Sequence, residues 1–247
     1  MNKTSLMKLL NRQGIRWLAA VGATTAETVL NRKLTIVRPL PDEFFAHRHV
    51  DATLILTNVA NRLRPADLEN ATRGVFCFKY TPKEGDTVLD IGAGYGEETL
   101  TFSRLVGSTG RVISVEAHPA TYRRLVLTCK HNQLNNVTPL HFAVTDSEGV
   151  VAIDDGTSKL GSLAARIGQS GGSEVPSVTV DKLIVDYGLE RIDLLKMNIE
   201  GAEQLAIHGM SQSFVRVKNA VISCHDFLVH PGSSSGDRAW FATWSRS

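Results

Sequence analysis

A glycine-rich turn that follows a short apolar run has the residue types of a ligand-binding loop. The run covers residues 87–91, and Asp90 is its last residue but one. Gly92, Gly94 and Gly96 follow at every second position. Glycines directly after a strand let the chain turn tightly and bring its backbone against a ligand. Residues 97–106 predict a helix whose first N–H groups point into the same space. The spacing therefore indicates a nucleotide-type cofactor site after a first strand.

A second acid distinguishes between the cofactors that such a turn can hold. Residues 111–116 predict a second strand that ends in Glu116, a carboxylate able to accept two hydrogen bonds from a ribose diol. Dinucleotide enzymes use Gly-x-Gly-x-x-Gly, whereas the spacing here is Gly-x-Gly-x-Gly, with Asp90 two residues before it. An acid at that position suits a cationic or zwitterionic ligand. The two acids favour S-adenosylmethionine over NAD, and a glycine-rich turn of some other α/β protein is the structural alternative.

The elements that must position these residues alternate between strand and helix from residue 81 onward. This alternation predicts a Rossmann-like α/β fold, a doubly wound and mostly parallel sheet with helices on both faces. The predicted strands are 87–91, 111–116, 137–144, 192–199 and 220–224, and the predicted helices are 97–106, 121–132, 183–187 and 202–210.

Three segments are expected along the chain. Residues 1–80 predict a helical and irregular N-terminal extension or lid, and residues 81–247 predict the cofactor-binding domain. Residues 147–177 interrupt its rhythm and predict an inserted hairpin. Ligands of such sheets bind at the carboxyl ends of strands where the strand order reverses. The residues that fall at strand ends are Asp90, Glu116, Val144, Asn198 and His225.

Composition and charge are those of an ordinary soluble protein. The chain has 247 residues, of which 43% are hydrophobic and 21% charged, and its net charge is +2. Residues 1–40 carry seven basic side chains against one acid. A basic amphipathic helix there can make weak contact with an anionic membrane surface. A lid helix with Trp17 and Val21 on its apolar face is favoured, because the pattern is short.

The remaining composition argues against several classes of protein. No stretch approaches the length of a membrane span. Cys77, Cys129 and Cys224 lie far apart and form neither a metal spacing nor a disulfide framework. We therefore expect a cytoplasmic protein with no metal site and no nucleic-acid partner.

Separate motifs, in the expected order, resemble FkbM-family methyltransferases. They include Asp-Ile-Gly-Ala-Gly-Tyr-Gly at 90–96, Val-Glu-Ala-His-Pro at 115–119, Leu-Asn-Asn at 134–136 and, above all, Asp-Leu-Leu-Lys-Met-Asn-Ile-Glu-Gly-Ala-Glu at 193–203. The resemblance covers about residues 81–228. It implies a class I methyltransferase with a seven-stranded Rossmann-like sheet, S-adenosylmethionine as cofactor, and O-methylation, often of sugars or natural products.

The resemblance also implies roles for single residues in cofactor binding. The backbone near Tyr95 would hold the methionine part, and Asp90 would face its amino group, directly or through water. Glu116 would take the ribose hydroxyls, and residues 143–144 would flank the adenine. His118 would lie beside the adenosine, or it would only cap the next helix. The cofactor-binding set is Asp90, Gly92, Ala93, Gly94, Tyr95, Glu116, Ala117, His118, Ala143 and Val144.

Three residues are candidates for the chemistry at the acceptor. Family members usually have an aspartate where this chain has Asn198, and an amide takes no proton at neutral pH. Asn198 can therefore orient a substrate hydroxyl without deprotonating it. Glu200 could act on the substrate, although a carboxylate there equally serves the next helix. His225 can accept a proton from an alcohol, or it is a buried histidine that holds the neighbouring loop.

We expect an S-adenosylmethionine-dependent O-methyltransferase that acts on a hydroxyl of a small molecule, sugar or glycan. Only 21 residues follow Asp226, so the C-terminal strand pair of the fold is expected to be shortened or missing. This and the amide of Asn198 motivate one alternative, a truncated cofactor-binding protein without catalysis. An NAD-dependent oxidoreductase is the weaker alternative. An uncovered sheet edge would allow a homodimer.

Overall fold

The computed structural model describes residues 15–245, except for residues 32, 42, 62, 154–171, 200 and 226–238. Its described part divides into two compact units. The N-terminal unit comprises residues up to 71 together with 130–133, and the C-terminal unit comprises 72–129 and the residues from 134 onward.

The N-terminal unit combines helices with a small antiparallel sheet. Its core contains Ala20, Ala23, Val37, Phe45 and Val59. The three strands correct the expectation that residues 1–80 are only helical and irregular. Its elements are α1 (Arg16–Asn31), β1 (Ile36–Pro39), β2 (Phe45–Arg48), β3 (Thr53–Leu56) and the start of α2 (Pro65–Phe76).

Helix α1 buries small and polar side chains and exposes large apolar ones. Glu27 is 3% exposed, and its Oε2 lies within hydrogen-bond distance of the Nδ1 atom of His47, at 3.0 Å. Trp17 and Val21, predicted to lie on a packed face, are instead 63% and 64% exposed. No described helix is both long and apolar enough to span a membrane. Contact of residues 1–40 with a membrane surface stays a prediction, as does a homodimer.

The C-terminal unit holds the predicted site and contains most of the strands. Its elements begin with the end of α2, and they are then β4 (Thr87–Ile91), α3 (Glu97–Val106), β5 (Arg111–Val115), α4 (Pro119–His131, with its last two residues in the other unit), β6 (Val137–Leu140), β7 (Ala143–Val144), β8 (Gly149–Ile153), β9 (Ser173–Val178), α5 (Val180–Asp186), β10 (Leu194–Met197), α6 (Glu203–His208), a 3₁₀ turn (Phe214–Arg216), β11 (Asn219–His225) and β12 (Ala239–Ser245).

Among the described residues, the main sheet has six strands in the order β12-β11-β10-β4-β5-β6. All neighbours are parallel except β11 and β12, which are antiparallel. The chain runs from β4 through β5 to β6 and later returns to β10 on the other side of β4, so the strand order reverses there. The predicted doubly wound, mostly parallel sheet is confirmed. One strand, β12, lies where a strand pair was expected to be shortened or missing.

The sheet is buried on both faces, because successive side chains of a strand point to opposite sides. Leu89 of β4 joins a cluster that includes Leu183 of α5. Its neighbour Val88 joins another cluster with Phe102 of α3. These helices fix the strand ends from which the site is built.

The predicted strand 137–144 is in fact two strands in two sheets. β6 pairs with β5 in the main sheet, whereas β7 pairs with β9 in a second sheet of order β7-β9-β8. β8 and β9 are antiparallel, as expected for the hairpin at 147–177. The connection between them, residues 154–171, lies outside the described residues.

Candidate functional site

The glycine turn leaves β4 in close contact with the chain that leaves β10. Gly92 has φ +75°, and a Cβ atom there would lie 1.9 Å from the carbonyl oxygen of Asn198. The N–H groups of Gly92 and Ala93 both donate to the carbonyl oxygen of Val115, at 2.9 and 3.0 Å. Only glycine fits at position 92, because any side chain would occupy the space of the neighbouring backbone.

Glu116 ties the turn to the end of β5. Its Oε2 accepts from the N–H of Gly94 at 3.0 Å, and its Oε1 accepts from the N–H of His118 at 2.8 Å. Burial raises the pKa of Glu116, while these two N–H groups and Lys196 act in the opposite direction. Gly94 has φ +56°, and a Cβ atom there would meet no other atom within 4 Å. The turn therefore presents open space beside a fixed carboxylate.

Asp90 is completely buried and faces a buried lysine. The side chains of Asp90 and Lys196 are 0% and 1% exposed, and the Lys196 Nζ lies 2.9 Å from the Asp90 Oδ1. The other oxygen of Asp90 accepts from the hydroxyl of Thr99 at 2.7 Å. The Lys196 Nζ also donates to the carbonyl oxygen of Gly92 at 2.7 Å. The contact of Asp90 with a methionine amino group stays a prediction.

Lys196 is a residue of the candidate site for which the sequence predicts no role. A signal was present, because a lysine within an otherwise apolar strand needs a buried partner. The residue opposite it in the register is Asp90. Burial lowers the pKa of Lys196, but Asp90, Glu98 and Glu116 outweigh burial and raise it above the ordinary value.

Two further acids lie in the first turn of α3. Burial, followed by repulsion from Glu98, raises the pKa of Glu97 to about 7, although Tyr95 and Arg124 oppose this shift. Burial likewise raises the pKa of Glu98, and Lys196 opposes it. The guanidinium carbon of Arg124 lies 3.7 Å from the ring centre of Tyr95. The site thus combines several carboxylates with few cations.

Asn198 presents a buried oxygen atom to the site. Its N–H donates to the carbonyl oxygen of Ile91 at 3.0 Å, which holds the backbone beside β4. Its side-chain Oδ1 is buried and has no hydrogen-bond partner among the described residues. Such an atom needs a donor, and a bound ligand can supply one.

Glu203 organises the turn after Asn198. It is 5% exposed, and its two oxygens accept from the N–H groups of Ile199 at 3.0 Å and Gly201 at 2.8 Å. These contacts give Glu203 a structural role, since they hold the turn between β10 and α6. Its neighbour Glu200, a catalytic candidate, lies outside the described residues.

The residues predicted beside the adenosine have mixed surroundings. The Nδ1 of His118 accepts from the N–H of Thr121 at 3.4 Å, which is the capping role that the sequence left open. Ala117 and Ala143 are buried in one apolar cluster and Val144 in another. Their contacts with a cofactor stay predictions.

The third catalytic candidate, His225, is the last residue of β11. Its backbone therefore lies at the carboxyl end of a strand two positions from β4. Its side chain lies outside the part of the chain that the structure describes, so its role stays a prediction.

The sequence was also compared with models of protein families. Residues 90–237 match the methyltransferase FkbM domain, which is more than half of the chain. The chain belongs to the FkbM methyltransferase family. The resemblance seen in the motifs is thereby confirmed, and so is S-adenosylmethionine as the predicted cofactor.

Curated relatives of this FkbM domain are distant. Hexuronic acid methyltransferase AglP of Haloferax volcanii is 21% identical over 149 residues, which are 58% of this chain and 57% of that protein. A protein-L-isoaspartate O-methyltransferase of Methanococcus aeolicus is 27% identical over 125 residues, 50% of this chain and 56% of that protein. The chain spans little more than half the length of these relatives.

Some solved structures also have limited similarity to this chain. An FkbM methyltransferase of Methylobacillus flagellatus has a TM-score of 0.45 and 16% identity over 65% of this chain and 40% of that one. Aeropyrum pernix fibrillarin, solved with S-adenosylmethionine, has a TM-score of 0.39 and 15% identity over 77% of this chain and 78% of that one.

The residues present in the FkbM domain fit S-adenosylmethionine. Gly94 leaves open space at the turn, so a ligand can approach the backbone there. The two oxygens of Glu116 are each fixed by one N–H group, and their remaining lone pairs can accept from ribose hydroxyls. The acids near Lys196 suit a ligand that carries both an ammonium and a sulfonium.

Proposed function

We propose that this protein transfers the methyl group of S-adenosylmethionine to a hydroxyl of a sugar, a glycan or another small molecule. When bound, the cofactor supplies an electrophilic methyl group on a sulfonium. The observation that carries the proposal is the buried Oδ1 of Asn198, which has no donor among the described residues. A hydroxyl group of the acceptor is the kind of donor that this oxygen needs.

The position of Asn198 supports this role. Its backbone carbonyl lies against the turn at Gly92, so its side chain follows β10 next to the proposed methyl-donor site. When the amide accepts a hydrogen bond from the hydroxyl group of the acceptor, it fixes the direction of the lone pairs on that hydroxyl oxygen. Because methyl transfer is an in-line displacement, such positioning can supply much of the acceleration.

A sugar acceptor is supported by the similarity to a hexuronic acid methyltransferase. Acceptor pockets are built by variable parts of such folds, so this support concerns only the class of acceptor. Proton removal is proposed for His225, with Glu200 as the alternative, since Asn198 takes no proton at neutral pH.

A second candidate function follows from the same amide. A domain that binds S-adenosylmethionine without turnover would have no need of a base after β10. The two candidates predict equal cofactor binding and differ in methyl transfer.

The test is the transfer of labelled methyl from S-adenosylmethionine to a panel of hexoses, hexuronic acids and glycans that contain them. We expect a product whose label resists mild alkali, since a methyl ether is stable where a methyl ester hydrolyses. An alkali-labile product would contradict a hydroxyl acceptor. Cofactor binding without transfer to any acceptor would favour the second candidate.

Variants of Asn198 and His225 test the roles proposed for these residues at the methyl acceptor. Asn198→Leu removes the oxygen at similar size and is expected to lower kcat more than it changes cofactor affinity. His225→Gln is expected to lower kcat and to remove its dependence on pH near neutrality. If Asn198→Asp raises turnover sharply while His225→Gln changes nothing, the assignment of the base is wrong.

A further inference from the structure

Lys196 is a fully buried cation beside the glycine turn of the proposed methyl-donor site. Its ammonium reaches the Oδ1 of Asp90 at 2.9 Å and the carbonyl oxygen of Gly92 at 2.7 Å. It also lies 5.3 Å from the ring centre of Phe76. These contacts join β10, β4, the glycine turn and α2 through one side chain.

The charged groups that act on Lys196 come from three elements. Asp90 belongs to β4, Glu97 and Glu98 to the first turn of α3, and Glu116 follows β5. Asp90 alone would balance the ammonium, and Arg124 faces Glu97. Glu98 and Glu116 therefore leave an excess of negative charge. A cationic ligand such as the methyl donor suits this excess.

Without a buried cation these acids would repel one another and bind protons instead of the ligand. Burial already raises the pKa of both Glu98 and Glu116, and Lys196 opposes the rise in each. The same ammonium donates to the carbonyl oxygen of Gly92 at 2.7 Å. The backbone of Gly92 packs closely against that of Asn198, since a Cβ atom on Gly92 would lie 1.9 Å from the Asn198 carbonyl oxygen.

We propose that Lys196 is a positioning residue of the methyl-donor site. Its ammonium holds the Gly92 carbonyl in place and balances the acids that face the cofactor. It contacts no reacting atom and acts through the turn and through these carboxylates. The inference rests on the proposed use of S-adenosylmethionine and is independent of the acceptor.

The experiment must separate this role from simple stabilisation of the fold. Lys196→Met alone leaves Asp90 buried without its partner, and such losses strongly destabilise proteins. The double variant Asp90→Asn/Lys196→Met removes both charges and is compared with Asp90→Asn, so the two proteins differ only at residue 196. Lys182→Met, which removes an exposed lysine of α5, serves as the matched control.

The measurement is the dissociation constant of S-adenosylmethionine by calorimetry between pH 6.5 and 9, on variants whose folding is checked by circular dichroism. We expect the double variant to bind about tenfold more weakly than Asp90→Asn at pH 6.5. This is the effect of raising by about one unit the pKa of an acid that must be ionised for binding. The difference is expected to narrow toward pH 9, where the acids ionise without help. Lys182→Met is expected to bind like the wild type.

Equal affinities and parallel pH profiles for Asp90→Asn and the double variant would overturn the proposal and leave Lys196 a structural residue. If the double variant does not fold, Lys196→Arg decides, because it keeps the charge and the donors. Lys196→Arg is expected to retain affinity within about threefold despite lower thermal stability. A folded arginine variant without affinity would overturn the proposal, whereas a wild type that does not bind S-adenosylmethionine would instead refute the proposed function.

Discussion

Two glycines of the same turn, Gly92 and Gly94, separate the needs of the fold from the needs of the ligand. Both have positive φ, +75° and +56°, so alanine at either position is expected to cost about 1 to 2 kcal/mol of backbone strain. At Gly94 the new Cβ atom meets nothing within 4 Å, so strain is the whole cost. At Gly92 the new Cβ atom would lie 1.9 Å from the backbone carbonyl oxygen of Asn198. The backbone would have to shift to relieve this clash, which adds about 1 to 3 kcal/mol.

The assay combines urea unfolding with calorimetric titration of S-adenosylmethionine. Gly92→Ala is expected to lose about 2 to 5 kcal/mol of unfolding free energy. Gly94→Ala is expected to lose only about 1 to 2 kcal/mol and yet to bind the cofactor at least about tenfold more weakly, because its methyl group fills space that the ligand uses. A Gly94→Ala variant that folds and binds S-adenosylmethionine like the wild type would refute the assignment of the turn.

Three further predictions concern stability and pH. Glu203→Ala removes the acceptor of two N–H groups and is expected to lower the unfolding free energy by about 2 to 4 kcal/mol, measured with urea, whereas Glu203→Gln, which keeps one oxygen, is expected to lose less. Glu97 has its pKa raised to about 7 by burial and by Glu98. The Glu97 carboxyl therefore loses its proton at a lower pH in the unfolded chain than in the folded chain. Its contribution makes the unfolding free energy fall as the pH rises from about 4.5 to 7. Glu97→Gln is expected to raise the Tm above that of the wild type at pH 8 and to raise it by less at pH 5. Equal increases in Tm at both pH values would contradict the raised pKa of Glu97. His47→Ala removes one of the two partners of the buried Glu27, whose other oxygen accepts from the N–H of Asn61 at 2.8 Å. The variant is expected to speed hydrogen exchange in the strand 45–48, with exchange in 87–91 unchanged.

The cofactor-binding part of the candidate site was predictable, because the sequence signals for it are local. The strand 87–91, the turn and the helix 97–106 follow from an apolar run, three glycines and an amphipathic segment, and the structure has the same bounds. Strand β5 ends one residue earlier than predicted. Glu116 was found because it directly follows that strand.

The rest depends on tertiary pairing, which spacing along the chain does not contain. Residues 137–144 look like one strand, but Ala143 pairs with Ser177 of β9, the second strand of the hairpin that β8 begins. Strands β1–β3 have four residues each, too few to reveal a period. Lys196 could face either side of β10 until the register placed it opposite Asp90.

The central claim is that the strand ends around Asp90, Gly94 and Glu116 bind S-adenosylmethionine. Calorimetric titration of the purified protein with S-adenosylmethionine, and separately with NAD, tests it most directly. We predict binding of one S-adenosylmethionine per chain, weakened by Glu116→Gln, and no heat of binding with NAD. Binding of NAD with none for S-adenosylmethionine would contradict the account.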